Sequence, residues 1–259
     1  CQNDIKTSKN GLEMEKSPVL AIVGTRKPTK YGEKIAYELA YEAAKRGAVV
    51  VSGLAYGIDS IAHRGALDAG GVTVAVLGTP IDQIYPRVHL GLVEKIVETG
   101  GCIMSEIAPG EEFWPKTSFL QRNRLISGLA DVVVIPEAAE RSGSLNTAAH
   151  ALEQGKEIFA VPGDILRPQS RGCNRLIRQG AMPYLEASDV LDLLFPPEKK
   201  PKKQQVSLIG DTDAETAILA ALMVGVDNGE EILERTGLSA AEFGRNVTML
   251  EIKGRVRGL

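Results

Sequence analysis

The sequence predicts an α/β fold, an open and mostly parallel sheet of about six strands, with a small helical domain behind it. Three observations predict it. The apolar runs are β-branched and continuous rather than alternating, as in strands covered on both faces. Helical segments separate them, and the repeat of roughly 25–30 residues is that of βαβ crossovers. The strand runs, in order, are Val19–Val23, Ala48–Val51, Val72–Leu77, Cys102–Met104, Val132–Ile135 and Ile158–Val161. Helical patterning covers Glu33–Arg46, Ser60–Ala69, Val88–Glu98 and Thr147–Gln154. Residues 1–18 form a polar N-terminal extension and residues 19–195 the sheet domain. Residues 196–210 read as a linker, because Pro196–Gln205 holds two proline clusters and four lysines without an apolar residue. In 211–259, Thr212-Asp-Ala-Glu215 is a capping-box start for a helix to about Val224. Asn228–Thr236 is a second helix, Gly237-Leu-Ser239 a tight turn, and Ser239 the N-cap of a third helix to about Ile252. Helix, helix, short glycine turn, helix is a helix-turn-helix pattern. Lys253–Gly258 is the start of a β-wing that the sequence leaves without a return strand.

Composition narrows the function. The 259 residues are 44% hydrophobic and 24% charged, which is globular. No apolar run approaches the roughly 18 residues of a membrane helix. A net charge of −3 means that any nucleic-acid affinity rests on a local basic patch. Cys1, Cys102 and Cys173 form no CxxC pair, which argues for a reducing cytoplasm and against structural zinc. The extension has no h-region of a signal peptide, and a first residue other than Met suggests missing upstream sequence.

In a parallel sheet, functional groups gather in the loops at the carboxyl ends of the strands. Two of these loops are small-residue turns into helices, Ser52-Gly53 and Ser142-Gly-Ser144. Each is either a set of backbone donors for phosphate or merely a sharp turn. No GxxxxGK[ST] and no GxGxxG after a strand is present, which removes the main support for ATPase or NAD chemistry. Basic residues crowd the loops (Arg26, Lys27, Lys30, Lys116, Arg122, Arg124, Arg141, Arg167, Arg171, Arg175, Arg178), but acids such as Asp59, Glu106, Glu137 and Asp164 stand among them. Lys116 near Phe119 is a phosphate-seeking ammonium beside an aromatic face, as in single-strand grips; equally, Phe119 is a first core residue of its helix. His63, His89 and His150 form no ligand pair, and Ser142 and Ser144 have no histidine nearby in sequence.

Taken together the loops resemble the DprA/Smf family of bacterial DNA-processing proteins. The matching stretches are Ala21-Ile-Val-Gly-Thr-Arg26, Val51-Ser-Gly-Leu-Ala-Tyr-Gly-Ile-Asp59 with Ala62-His63, Ile84-Tyr-Pro86, Ser105-Glu106, Ser118–Gly128, Glu137–Ser144, Val161-Pro-Gly163 and Ser170–Ile177. The family's usual serine is Thr25 here, and its usual glycine is Leu54. The resemblance implies a Rossmann-like domain followed by a winged-helix-like domain, here either truncated or complete. It implies sequence-independent capture of single-stranded DNA and loading of the RecA recombinase during natural transformation, by a cytoplasmic homodimer without catalysis, cofactor or metal. It places the family's DNA-contacting arginine on Arg26 and its lysine and aromatic on Lys116 and Phe119. Ser52, Gly53, Ser142, Gly143 and Ser144 are then backbone donors. Arg122 and Asn123 either touch DNA or brace the loop, and Arg171 and Asn174 complete the DNA-binding candidates. A helical domain that often precedes the sheet in the family is absent or removed here.

Two other readings compete. One is a nucleotide sensor or a phosphoribohydrolase-like enzyme on the same architecture, although Thr147 stands where that chemistry needs a glutamate. The other is an interaction scaffold that binds no nucleic acid. For the dimer surface the apolar face around Ala148–Leu152 is a candidate.

Overall fold

The computed structural model describes residues 17–196, 210–226, 228–253 and 255–256. Most of the N-terminal extension and of the Pro/Lys-rich linker therefore lies outside the described residues. The chain divides into two units, up to Pro196 and from Pro197 onward.

Seven parallel strands build the first unit: β1 (Val19–Ile22), β2 (Val49–Ser52), β3 (Thr73–Val76), β4 (Cys102–Met104), β5 (Val132–Ile135), β6 (Glu157–Ala160) and β7 (Met182–Pro183). Their order is β4-β3-β2-β1-β5-β6-β7. The seventh corrects the expected count of six. With two residues it is too short to leave a hydrophobic pattern, and it exists because it pairs with β6.

The helices are α1 (Lys30–Lys45), α2 (Ile58–Asp68), α3 (Leu90–Glu98), α4 (Pro115–Leu129), α5 (Ser144–Glu153), α6 (Arg171–Arg178) and α7 (Ala187–Leu194). Side chains alternate across each strand, so Leu20, Ile22, Val50 and Val134 face one core with Leu39, Ala43, Ala62 and Leu191. Val19, Ala21, Val51, Val133 and Ile135 face the other with Ile126, Ala148, Ala151 and Cys173. Two covered faces are why the strand runs read as continuous. A third cluster, Leu54, Leu77, Leu92 and Ile96, lies under α3.

Several helices begin earlier than their apolar periodicity suggests. Thr29 caps α1 by accepting from the Gly32 N–H (3.4 Å). The segment after β4, read as loop through Arg124, turns helical at Pro115, where proline occupies the first helical turn. Its polar residues hid it: Ser118, Arg122, Asn123 and Ser127 are all buried.

The second unit holds α8 (Asp213–Met223), α9 (Gly229–Thr236) and α10 (Ala240–Ile252) around Ile218, Ile232, Val247 and Leu250. Ser239 and Glu242 form a complete capping box. Thr212 makes only half of one. Its hydroxyl accepts from the Glu215 N–H (3.1 Å), while the Glu215 carboxylate turns to the Asp211 N–H and to Lys253 (2.7 Å). No strand occurs among the described residues of this unit, and residues 254, 257 and 258 of the expected wing lie outside them.

Candidate functional site

From β1 the chain passes to β2 on one side and finds β5 on the other. Their carboxyl-end loops diverge and leave a crevice, the position where open α/β sheets bind ligands. A cleft of about 470 Å³ opens there. One wall is the Gly24–Lys27 loop after β1, the opposite wall is Ala139–Ser144 after β5, and α4 contributes Phe119, Arg122 and Asn123.

The loop carrying Arg26 is stitched on three sides. The Thr25 N–H donates to the Glu137 carbonyl (2.8 Å), and the Thr25 carbonyl accepts from the Ile58 N–H (3.2 Å). The Thr25 hydroxyl accepts from the Lys27 N–H (3.2 Å), a role for which threonine serves as well as serine. Buried Glu137 accepts from the Thr29 N–H (2.7 Å) and hydroxyl (2.9 Å). Arg26 thus leaves a fixed turn, exposed, with its guanidinium 5.8 Å from the centre of the Phe119 ring. Phe119 is half-buried. Arg122 lies 6.0 Å from the same ring, and Tyr85 sits 5.7 Å away at a 41° tilt. Lys116 stands in the first turn of α4, one turn before Phe119, but its side chain lies outside the described residues.

The two small-residue turns have opposite fates. Ser142–Ser144 lines the cleft, but the Ser142 N–H donates to the Ala139 carbonyl (3.0 Å) and the Ser144 N–H to the Ser142 hydroxyl (3.4 Å), so among the described residues only the Gly143 N–H is left as a donor. Gly143 is exposed, and a Cβ added there would meet nothing within 4 Å. The two serine hydroxyls are 2.8 Å apart. The Ser52-Gly53 turn is closed, which corrects its reading as a set of donors. Ser52 is fully buried and donates to the Ile22 carbonyl (2.6 Å), and the Gly53 N–H donates to the Asp59 carboxylate (3.1 Å). Arg122 fills the space above the turn, donating to the Gly53 carbonyl (2.8 Å) and to the Val76 carbonyl.

Three further candidates are braces by geometry. Arg122 is 6% exposed and committed to those carbonyls. Asn123 accepts from Arg122 (3.3 Å) and donates to the Gly143 carbonyl (3.3 Å) and Asn146 (3.1 Å), tying α4 to the open turn. Asn174 exchanges both hydrogen bonds with Gly163 (3.1 and 2.9 Å), which uses its amide to hold the loop after β6. Arg171 is exposed at the start of α6 and lines neither wall of the cleft.

Asp59 is the residue that sequence reasoning passed over. Burial raises its carboxyl above the ordinary aspartate range, while the Arg122 charge and the Gly24, Ala55 and Gly53 amides oppose the rise. Burial likewise pushes Arg122 down to about 10, and Asp59 holds it back. Together they tie the β2 loop to α4 beneath the cleft. The only signal was an acid and a base in glycine-rich loops 63 positions apart, which a sequence cannot pair.

Pairing also sorts the mixed charges. Lys30 is bonded to Glu33, Arg124 to Glu106 and Arg167 to Asp164. Among the described residues, Arg26, Lys27 and Arg141 have no carboxylate partner and share the rim of the cleft. His63 and His89 are buried packing residues bonded to Thr73 (2.7 Å) and to the Leu54 carbonyl (2.8 Å). Thr147, in the position a phosphoribohydrolase glutamate would take, is 1% exposed at the cleft floor.

Comparison with known proteins follows the same lines. A family model described as DNA recombination-mediator protein A matches residues 9–195, and one described as DprA winged helix domain matches 199–259. Escherichia coli Protein Smf is 39% identical over 241 residues, which are 91% of this chain and 64% of Smf. The chain thus spans under two thirds of that relative's length. The X-ray structure of Streptococcus pneumoniae DNA processing protein A superposes with a TM-score of 0.62 at 42% identity, over 69% of this chain and 62% of that one. A Helicobacter pylori DNA processing protein A, whose structure concerns its single-stranded DNA binding mode, superposes at 0.64 with 37% identity, over 71% and 82% of the respective chains.

Proposed function

The chain belongs to the DNA recombination-mediator protein A (DprA/Smf) family, and on that premise we propose that the crevice between β1 and β5 captures single-stranded DNA without regard to sequence. The observation that carries the reading is Arg26, held on a stitched loop, exposed, free of any carboxylate among the described residues and poised over Phe119. A cation beside an aromatic ring meets the two features every nucleotide shares, a phosphate and a π-face. Lys27 and Arg141 extend the cationic rim, Lys116 stands one helical turn from the ring, and the open Ser142–Ser144 turn supplies close backbone approach at the start of α5. No bond is broken in this reading. Capture is followed by hand-over of the strand to RecA, by a cytoplasmic homodimer that meets through the outward side of α5, where Ala149 and Leu152 are exposed while Ala148 and Ala151 of the expected surface belong to the core. Family membership supports the hand-over and the dimer.

Titrating the full chain with a fluorescent oligo(dT) at several salt concentrations tests the capture. Arg26→Ala should flatten the plot of log K against log salt by about 0.7, the release of one counterion from a single strand. Phe119→Ala should cost about 1–3 kcal/mol at an unchanged slope, because stacking neutralises no phosphate. Parent-like binding by a folded Phe119→Ala protein would remove the stacking role, and absence of binding by the parent would remove the reading.

A further inference from the structure

Ile84-Tyr85-Pro86 has no part in the crevice just described, yet the structure sets Tyr85 against its central ring. On the far side of Phe119 lies a second cleft of about 580 Å³, walled by Tyr85, Ile84, Phe113 and Leu90. Resting on the reading above, we propose that this cleft holds a second nucleobase of the same strand, stacked on Tyr85, so that Phe119 divides two base subsites.

Phe119 belongs to both linings, and a narrow seam shares Arg26 and Phe119 with the first cleft and Tyr85 with the second. A strand passing Arg26 therefore reaches either side. The two rings do not clamp a base between them. Their centres are 5.7 Å apart, whereas a base between two rings needs two layers of about 3.4 Å each. They form an angled corner. The Phe119 ring is already within reach of two guanidinium groups, from Arg26 and Arg122. Tyr85 is 50% exposed, and its hydroxyl has no hydrogen-bond partner among the described residues. On the second side Tyr85 adds a further π-surface, one with no cation over it among the described residues. Polar groups there suit a base of any identity. Exposed Gln83 offers both a donor and an acceptor to a base edge, and Arg87 offers a cation to the next phosphate, with Asp82 beside them limiting the positive charge. An apolar peptide would not need a cation and an amide on an aromatic cleft that continues a cationic crevice.

An abasic scan of a short oligo(dT) against the full chain tests this. Two separate base positions should each weaken binding by the parent when removed. Tyr85→Ala should lose about 5- to 150-fold in affinity, the contribution of one stacked base. It should also become indifferent to one of the two abasic positions while keeping the other. Tyr85→Phe should bind like the parent, and Tyr85→Leu, which keeps bulk without a π-face, should behave like Tyr85→Ala. A single sensitive position in the parent, or parent-like affinity in both Tyr85→Ala and Tyr85→Leu, overturns the second subsite and leaves the crevice reading standing. If the parent binds no oligonucleotide, both fall together.

Discussion

Ser52-Gly53 and Ser142-Gly-Ser144 look interchangeable on paper: small residues ending a strand and opening onto a helix at the same edge of the sheet. Folded, one is a filled joint and the other an empty ledge. A Cβ on Gly53 would stand 2.6 Å from the Arg122 guanidinium, while one on Gly143 would meet nothing. The difference lies in what each turn faces. Arg122 reaches Gly53 from 69 positions away, and behind it stands Asp59, whose buried carboxylate takes the amide that a phosphate would need. A glycine-rich turn therefore stays open to an approaching group only when the fold sends no side chain of its own into it.

The contrast is open to attack from the strongest effect downward. Arg122→Ala leaves Asp59 buried beside no cation and two carbonyls without their donor, so denaturant unfolding should show a loss of about 3–5 kcal/mol. A loss under 1 kcal/mol would mean that Arg122 is no brace. Next is Leu54, which closes the first turn in the left-handed region with φ +57° while its side chain is buried under α3. Leu54→Ala should cost about 2–5 kcal/mol for the emptied core. Leu54→Gly should cost about 1 kcal/mol less than alanine, the reverse of their usual rank, because only glycine sheds the backbone strain. Gly53→Ala pushes a methyl into a guanidinium pinned by two carbonyls and should cost about 1–3 kcal/mol. Gly143→Ala, with φ −62° and open space, should leave stability within about 0.5 kcal/mol. Equal costs at Gly53 and Gly143 would erase the distinction between the two turns.

Much of the sheet was legible because two buried faces make strands into unbroken apolar runs, and six such runs stood in the chain. β7 was not, since two residues carry no period. The Arg26–Phe119 approach was legible in part, through a resemblance that put both residues on one surface. The roles of Arg122, Asn123 and Asn174 were not, because an arginine or asparagine in a polar loop reads alike whether its donors meet water or the backbone of a distant loop. Burial distinguishes those two environments, and burial at α4 depends on contacts with β2 and β3 that local sequence does not encode.

The position of β1 has a consequence for how the protein is made. Its first neighbour, β2, follows within one helix, but the other belongs to a segment reached only 112 residues later, where Asp131 accepts from the Val19 N–H (2.8 Å). At translation speeds of about 5–20 residues per second, the nascent half-sheet waits on the order of ten seconds with a bare, hydrophobic edge. A chain cut short before Val132 would already display Arg26 but would have no second wall, and the β1 edge would stay unpaired.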